Sequence, residues 1–426
     1  MSRFKSKFLD RKIAPGFSSQ ESDLQLSKNL KPHFFEEKIN FDRLRLYRLN
    51  RVRDQLTLNN IGACILFDPI NIRYATDTRN MSLFTMHNKS RYVFIPQDGP
   101  VILFDYPKSE HLSEGMITID EIRETETWDF FSNGNNYEKQ AKVWADSISS
   151  LVKKYSPDNF NLAIDVSEPI GIQYLSNQFG LNISNAQNLL ELARVIKSED
   201  EIWCMKAAIK VAELGMFAMK ENLTAGMTEE EIWSFLHKVN IEKGGEWFET
   251  RLLNSGPRTN PWLQECSNRV IERGDLVAFD TDMIGPYGYC ADISRTFVEG
   301  GIFSEAQKDL YKLAKENIDF NKDLIQPGLS FFEFAEKAWK LPEKYFNNHY
   351  PCIIHGIGMC DEWPFVKYHK NNLNQNSKEI FKENMTICIE TYIGEVGGIE
   401  GVKLEDQFLI TNSGIKQLSK FPLELV

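Results

Sequence analysis

The chain has 426 residues, with 49 Lys and Arg against 60 Asp and Glu and a formal net charge of −11. That length exceeds one compact core and suits two domains. The acidic balance argues against a nucleic-acid surface, and no run of about 18 apolar residues is present to span a membrane. The first residues, MSRFKSKFLDRKIAPGF, are basic but lack an apolar run of signal-peptide length. Seven scattered cysteines form no CxxC pair. They read as reduced thiols of a cytoplasmic protein, and Cys290 and Cys388 as packing residues inside apolar strands.

Residues 1–40 are polar and weakly patterned and read as an N-terminal arm. From Phe41 to Asn59, Leu46, Leu49, Val52 and Leu56 recur at helical spacing. Apolar runs at 61–67, 91–96, 101–106 and 162–166 read as strands, with a helix over 136–155 between the last two. This alternation predicts an α/β domain over 41–193. A second domain, 194–426, opens at RVIKSEDE, where Ser198 and Glu201 form a capping box. Thr228 with Glu231, Ser304 with Gln307 and Ser330 with Glu333 repeat the signal, so four helices are expected. Strands are expected at 276–282, 288–297, 385–393 and 403–410, giving an α+β domain with antiparallel sheet.

Those strands carry acids where apolar residues belong. Asp280 and Asp282 are two apart, on one face of a strand, and Asp292 returns on the partner strand of a hairpin. Glu390 and Glu405 are single acids in apolar strands, fifteen residues apart across a glycine-rich turn. His355 follows PCII and precedes Gly356 and Gly358, which let backbone pass close to a ligand. Buried carboxylates are costly unless compensated, and a metal compensates them well. Oxygen donors with one imidazole suit Mn, Fe, Co or Zn rather than a structural cysteine zinc site. Four carboxylates and a histidine are about right for two divalent ions with bridging carboxylates.

In order and spacing, Asp282, Asp292, His355, Glu390 and Glu405 resemble the ligand set of the pita-bread metallopeptidases, the group of aminopeptidase P, prolidase and the metal-free creatinases. The stretches at 71–77 and 194–208 resemble those of the two-domain members. The resemblance implies a creatinase/prolidase-like N-terminal domain, a pita-bread catalytic domain and a homodimer. Two features depart from the peptidases. In HGIGMCDEWP, Asp361 stands where they carry a second histidine, and in NSGPRTNPWLQE, Trp262 and Leu263 stand where they carry an upstream one.

The runs at 66–77, 244–265, 278–288 and 355–364, with KLEDQ, look like the bacterial dimethylsulfoniopropionate (DMSP) lyases of the DddP type. That resemblance implies cleavage of DMSP to dimethyl sulfide and acrylate. It makes Asp280 an additional acid at the metal pair, Asp361 the base and Tyr350 a pocket residue. It names iron as the metal, with Zn, Mn, Co and Ni permitted. Trp262, Trp363 and Tyr350 are aromatic faces placed to bind a sulfonium. A dinuclear Xaa-Pro peptidase and a non-catalytic binding protein of the same fold remain the alternatives.

Overall fold

The computed structural model describes residues 35–368 and 378–423. The arm expected over 1–40 lies outside them up to residue 34. Of the described residues, 40–194 form one compact unit, and 35–39 with 195–423 form the other.

The first unit is built on β1 (Ala63–Leu66), β2 (Tyr92–Pro96), β3 (Ile102–Asp105), β4 (Glu121–Glu124), β5 (Asn161–Ile164) and β6 (Asn182–Asn185). Their order is β4-β3-β2-β1-β5-β6, with β1 antiparallel to β2 and parallel to β5. The interior strands β1, β2 and β3 are buried throughout, which their continuous apolar runs require. Helix Tyr137–Tyr155 places Ala141, Trp144, Ala145, Ile148 and Val152 in the core on one stripe. There the Trp144 ring stacks on Trp128, centroids 3.9 Å apart.

Helix Phe41–Leu58 buries Arg45 and Arg48 beside Leu44, Leu49, Val52 and Leu56, whereas Leu46 faces solvent. Both arginines close on Asp77, at 2.8 Å from Arg45 Nε and 2.7 Å from Arg48 Nη2. Asp77 ends helix Pro69–Thr76 in the left-handed region. Burial opposes its ionisation, but Arg48 and Arg45 outweigh that and hold its carboxyl below the ordinary value. A depressed folded-state pKa adds stability above the unfolded-state value and loses it as pH falls through the folded one. Asp77→Asn is therefore expected to cost about 3–5 kcal/mol at neutral pH. The difference from wild type should close in acid, as chemical denaturation across pH would register.

The second unit begins with helices Glu199–Asn222 and Glu229–Glu242, then Glu305–Leu324 and Phe331–Lys337. All four expected capping boxes are formed, each with both reciprocal hydrogen bonds. Its strands make three antiparallel sheets. In the first, β7 (Trp247–Phe248), β10 (Met283–Ile284) and β11 (Cys290–Ala291) lie in the order β11-β10-β7. In the second, β8 (Leu253–Ser255), β9 (Leu276–Phe279) and β12 (Arg295–Val298) lie in the order β12-β9-β8. The third contains β13 (Ile354–Ile357), β14 (Asp361–Val366), β15 (Thr386–Ile393), β16 (Val402–Thr411) and β17 (Gly414–Gln417), ordered β14-β13-β15-β16-β17. Helix Glu305–Leu324 buries Tyr311, Ala314 and Ile318 in the same core as Ile387, Ile389 and Leu404.

The expected strands 276–282 and 288–297 are each broken. The first stops at Phe279 and resumes at Met283; the second stops at Ala291 and resumes at Arg295. Thr281 Oγ1 spans the gap by donating to Ala291 O and accepting from Ile293 N. Asp280, Asp282 and Asp292 all fall in these breaks, and Asp282 has φ +34°. Asp280 and Asp282 are therefore not successive same-face residues of one strand. The chain leaves one sheet for the other, and the acids line the transition.

Candidate metal centre

Glu390 and Glu405 are directly opposite one another on β15 and β16. Cross-strand partners share a face, so the two carboxylates project together. His355 on β13 pairs with Cys388 on β15 and reaches the same space. Its Nε2 lies 3.1 Å from Glu405 Oε1, 3.4 Å from Asp292 Oδ2 and 3.5 Å from Glu390 Oε1. Asp280, Asp282, Asp292, His355, Glu390 and Glu405 are all buried. Thr250 donates a short hydrogen bond to Asp282, and Ser294 Oγ donates to Glu405 Oε2 at 2.8 Å.

Gly356 and Gly358 serve the hairpin rather than a ligand. A Cβ on Gly356 would meet Trp363 O at 2.4 Å, and one on Gly358 would meet Glu362 Oε1 at 2.3 Å. This close pairing of β13 with β14 brings Asp361 Oδ1 to 3.6 Å from His355 Nδ1. Glu362 turns the other way, into a buried ion pair with Lys197 at 2.7 Å. The Asp361 side chain keeps 52% of its surface exposed, at the edge of the acid cluster.

Crowding sets the protonation of this cluster. Burial, then Asp280 and Asp361, push Asp282 up; burial, then Asp280 and Glu405, push Asp292 up. Burial raises Glu390 to about 7 against the pull of Lys403. Glu405 goes the other way: against burial, Lys403 and His355 hold it well below the usual carboxylate range. Burial also leads the rise at Asp361, which His355 opposes. Such a set of buried acids calls for cations.

The donors sort into three groups, each with ligand atoms within 4.8 Å of one another: Asp292, His355, Cys388 and Glu405; Asp280, Glu390 and Glu405; and Asp280, Asp282 and Asp292. Asp280 Oδ1 and Asp292 Oδ1 are buried without a hydrogen-bond partner among the described residues. Buried carboxylate oxygens left open beside other donors are what a divalent ion would use, so the residues fit a metal. All six ligand candidates from the sequence are brought together, and Asp361 stands at their edge.

Lys403 joins this cluster without having been singled out by the sequence pattern. It is fully buried on β16, with Nζ 2.8 Å from Glu390 Oε2 and Glu405 Oε2 and 3.1 Å from Asp280 Oδ2. The signal was present, as a lone cation in an apolar strand two residues before Glu405. Cys388, read as packing, is buried but also places its sulfur among the donors. Lys403→Met is expected to destabilise the metal-free protein by about 3–5 kcal/mol, the penalty for stranding buried charge. Thermal unfolding with and without chelator should show that loss shrinking when metal is supplied.

The three aromatics divide. Tyr350 presents its ring to Lys403 Nζ at 4.4 Å from the centroid. Trp262 packs with Ala278 and Tyr392, and Tyr350 lies against that group. Trp363 instead packs edge-on to Phe331, beside the main core of this unit.

Two family models cover the chain. Residues 203–412 match metallopeptidase family M24, and residues 48–196 match the creatinase/prolidase N-terminal domain. The fold agrees: a solved Xaa-Pro dipeptidase from Bacillus anthracis superposes with a TM-score of 0.72 at 21% identity, over 90% of this chain and 99% of its own. The class is thus a two-domain protein of the M24 metallopeptidase fold.

Within that class the sequence is closer to another group. It is 37% identical to the dimethylsulfoniopropionate lyase DddP of Roseovarius nubinhibens over 90% of this chain and 87% of that protein. It is 36% identical to the DddP of Roseobacter denitrificans, over 89% and 86%. The chain belongs to the DddP family of dimethylsulfoniopropionate lyases.

Proposed function

We propose that this chain cleaves DMSP to dimethyl sulfide and acrylate by β-elimination. The observation that carries the reading is the likeness to two DMSP lyases along nine-tenths of the chain. The chemistry of the site supports it. A carboxylate, Asp361, stands at the edge of the acid cluster where peptidases use an imidazole.

Asp280, Asp282, Asp292, His355, Glu390 and Glu405 would hold two divalent ions. Five carboxylates carry five negative charges, and Lys403 with two divalent ions would balance them. Iron is the metal we assign; the donor set also accommodates Zn, Mn, Co and Ni. When bound, a divalent ion supplies Lewis-acid stabilisation for negative charge building on a substrate carboxylate. Asp361 takes the proton from the carbon next to that carboxylate. The C–H electrons become the new carbon–carbon double bond, and the carbon–sulfur bond breaks with its pair going to sulfur. Dimethyl sulfide departs neutral, so no acid is needed on the leaving side. The proton on Asp361 can return to water through its exposed face.

Trp262 and Tyr350 would receive the sulfonium, each well-placed ring contributing roughly 0.5–2 kcal/mol. Trp363, packed on Phe331, would hold β14 and hence Asp361 in place. We assign the protein to the cytoplasm as a homodimer. Its seven free thiols support a reducing compartment, and the resemblance to two-domain relatives supports the dimer. No helix among the described residues is long and apolar enough to cross a membrane.

Headspace analysis of metal-loaded protein supplied with DMSP tests the reading, with an Xaa-Pro dipeptide run in parallel. Dimethyl sulfide without dipeptide cleavage is expected. Dipeptide cleavage without dimethyl sulfide would return the chain to the peptidases.

A further inference from the structure

Asn254 stands out among the buried polar groups of the second unit. It is 0% exposed, and neither Oδ1 nor Nδ2 has a hydrogen-bond partner among the described residues. A buried carboxamide normally satisfies at least one end, so two open ends point to something absent from the protein itself.

Its place on the sheet says what. Asn254 on β8 pairs with Ala278 on β9. Antiparallel partners share a face, as do residues two apart on one strand. Leu252, Asn254, Ala278 and Asp280 therefore look the same way, the pairing continuing through Asp280 N to Leu252 O at 2.9 Å. On that face Ala278 and Leu252 meet Trp262, Tyr392 and Tyr350. Asp280 meets Lys403 at the metal centre. Asn254 thus sits diagonally across the strand pair from Asp280, roughly 7–8 Å away, on the aromatic side.

We infer that Asn254 is a substrate-binding residue that orients the zwitterion. The inference rests on the DMSP reading above. The substrate's two charged ends are three single bonds apart, roughly 4–5 Å at ordinary bond lengths. A carboxylate held at the metal centre therefore puts the sulfonium beside Trp262, Tyr350 and Asn254. A sulfonium donates no strong hydrogen bond, so the aromatic faces alone leave its position loose. The carbonyl end of the carboxamide sets a partial negative charge against it. The NH₂ end can donate back toward the substrate carboxylate. A neutral dipole laid antiparallel to a zwitterion satisfies both open ends at once.

The test compares wild type with Asn254→Leu, which keeps the branched shape and the number of heavy atoms and removes the dipole. DMSP is the substrate, and 3-(methylthio)propionate, which lacks the positive charge, is the competing inhibitor. Asn254→Leu should raise KM for DMSP by about tenfold or more, with kcat changed far less. The preference for the sulfonium over the thioether should fall by a similar factor. The variant should melt at or above the wild-type temperature, because an apolar side chain replaces an unsatisfied polar one. Asn254→Asp, which adds charge facing the sulfonium, should keep that preference. Unchanged KM and preference in Asn254→Leu would overturn the assignment. So would a lowered melting temperature with KM unmoved, the mark of a purely structural amide. A wild-type control releasing no dimethyl sulfide would sink the underlying reading, a failure distinct from an active wild type and an unaffected variant.

Discussion

Asp361→Ala is expected to lower kcat for DMSP cleavage by about 10²–10⁴-fold, the usual worth of a positioned general base. The protein should keep its metal, because Asp361 sits beside the ligand cluster rather than within the three donor groups. It should also keep its fold, since the side chain is half exposed and His355, 3.6 Å away, keeps Glu405, Asp292 and Glu390 as carboxylate partners. A base acts only when ionised, so wild-type activity should fall in acid. Burial shifts Asp361 upward, so that fall should lie above the ordinary aspartate value of 3.8. Steady-state kinetics with metal analysis on the same samples would check this. A variant that loses metal together with activity would make Asp361 a ligand.

Glu405→Ala should abolish activity by another route. Glu405 meets His355 through Oε1 and both Lys403 and Ser294 through Oε2, and it belongs to two of the three donor groups. Removing it takes a ligand from both groups and leaves Lys403 with fewer counter-charges. Metal content is expected to fall below that of wild type and turnover to the background level. Dialysis of wild type against a chelator should reproduce the loss of turnover. Added divalent metal should restore wild type but not the variant.

Much of this centre was legible because acids in apolar strands are conspicuous. Burial of a carboxylate is costly, so Glu390 in ICIETYI and Glu405 in KLEDQFLI announced a compensating partner. The capping boxes were legible for a similar reason: the signal is local, four residues long, and physically self-contained. Less legible were the breaks at Asp280–Asp282 and Asp292–Ser294. Apolar residues flank both segments closely enough to read as one strand each, while the change of sheet is decided by pairing with distant strands. The edge strands β4 and β6, EIRE and NISN, carry no apolar pattern because little covers them. Lys403 is inconspicuous in the sequence because a single lysine is ordinarily a surface residue; only the fold puts its ammonium among three acids. Trp363 is ambiguous in the opposite sense. It lies two residues from Asp361 in sequence, and in space its ring packs edge-on with Phe331.

The proposed metal centre would serve elimination rather than attack by water. Proton NMR of DMSP incubated with metal-loaded protein separates the two directly. Elimination predicts vinyl signals of acrylate growing in equal amount with dimethyl sulfide. Unchanged DMSP, or 3-hydroxypropionate in place of acrylate, would contradict it.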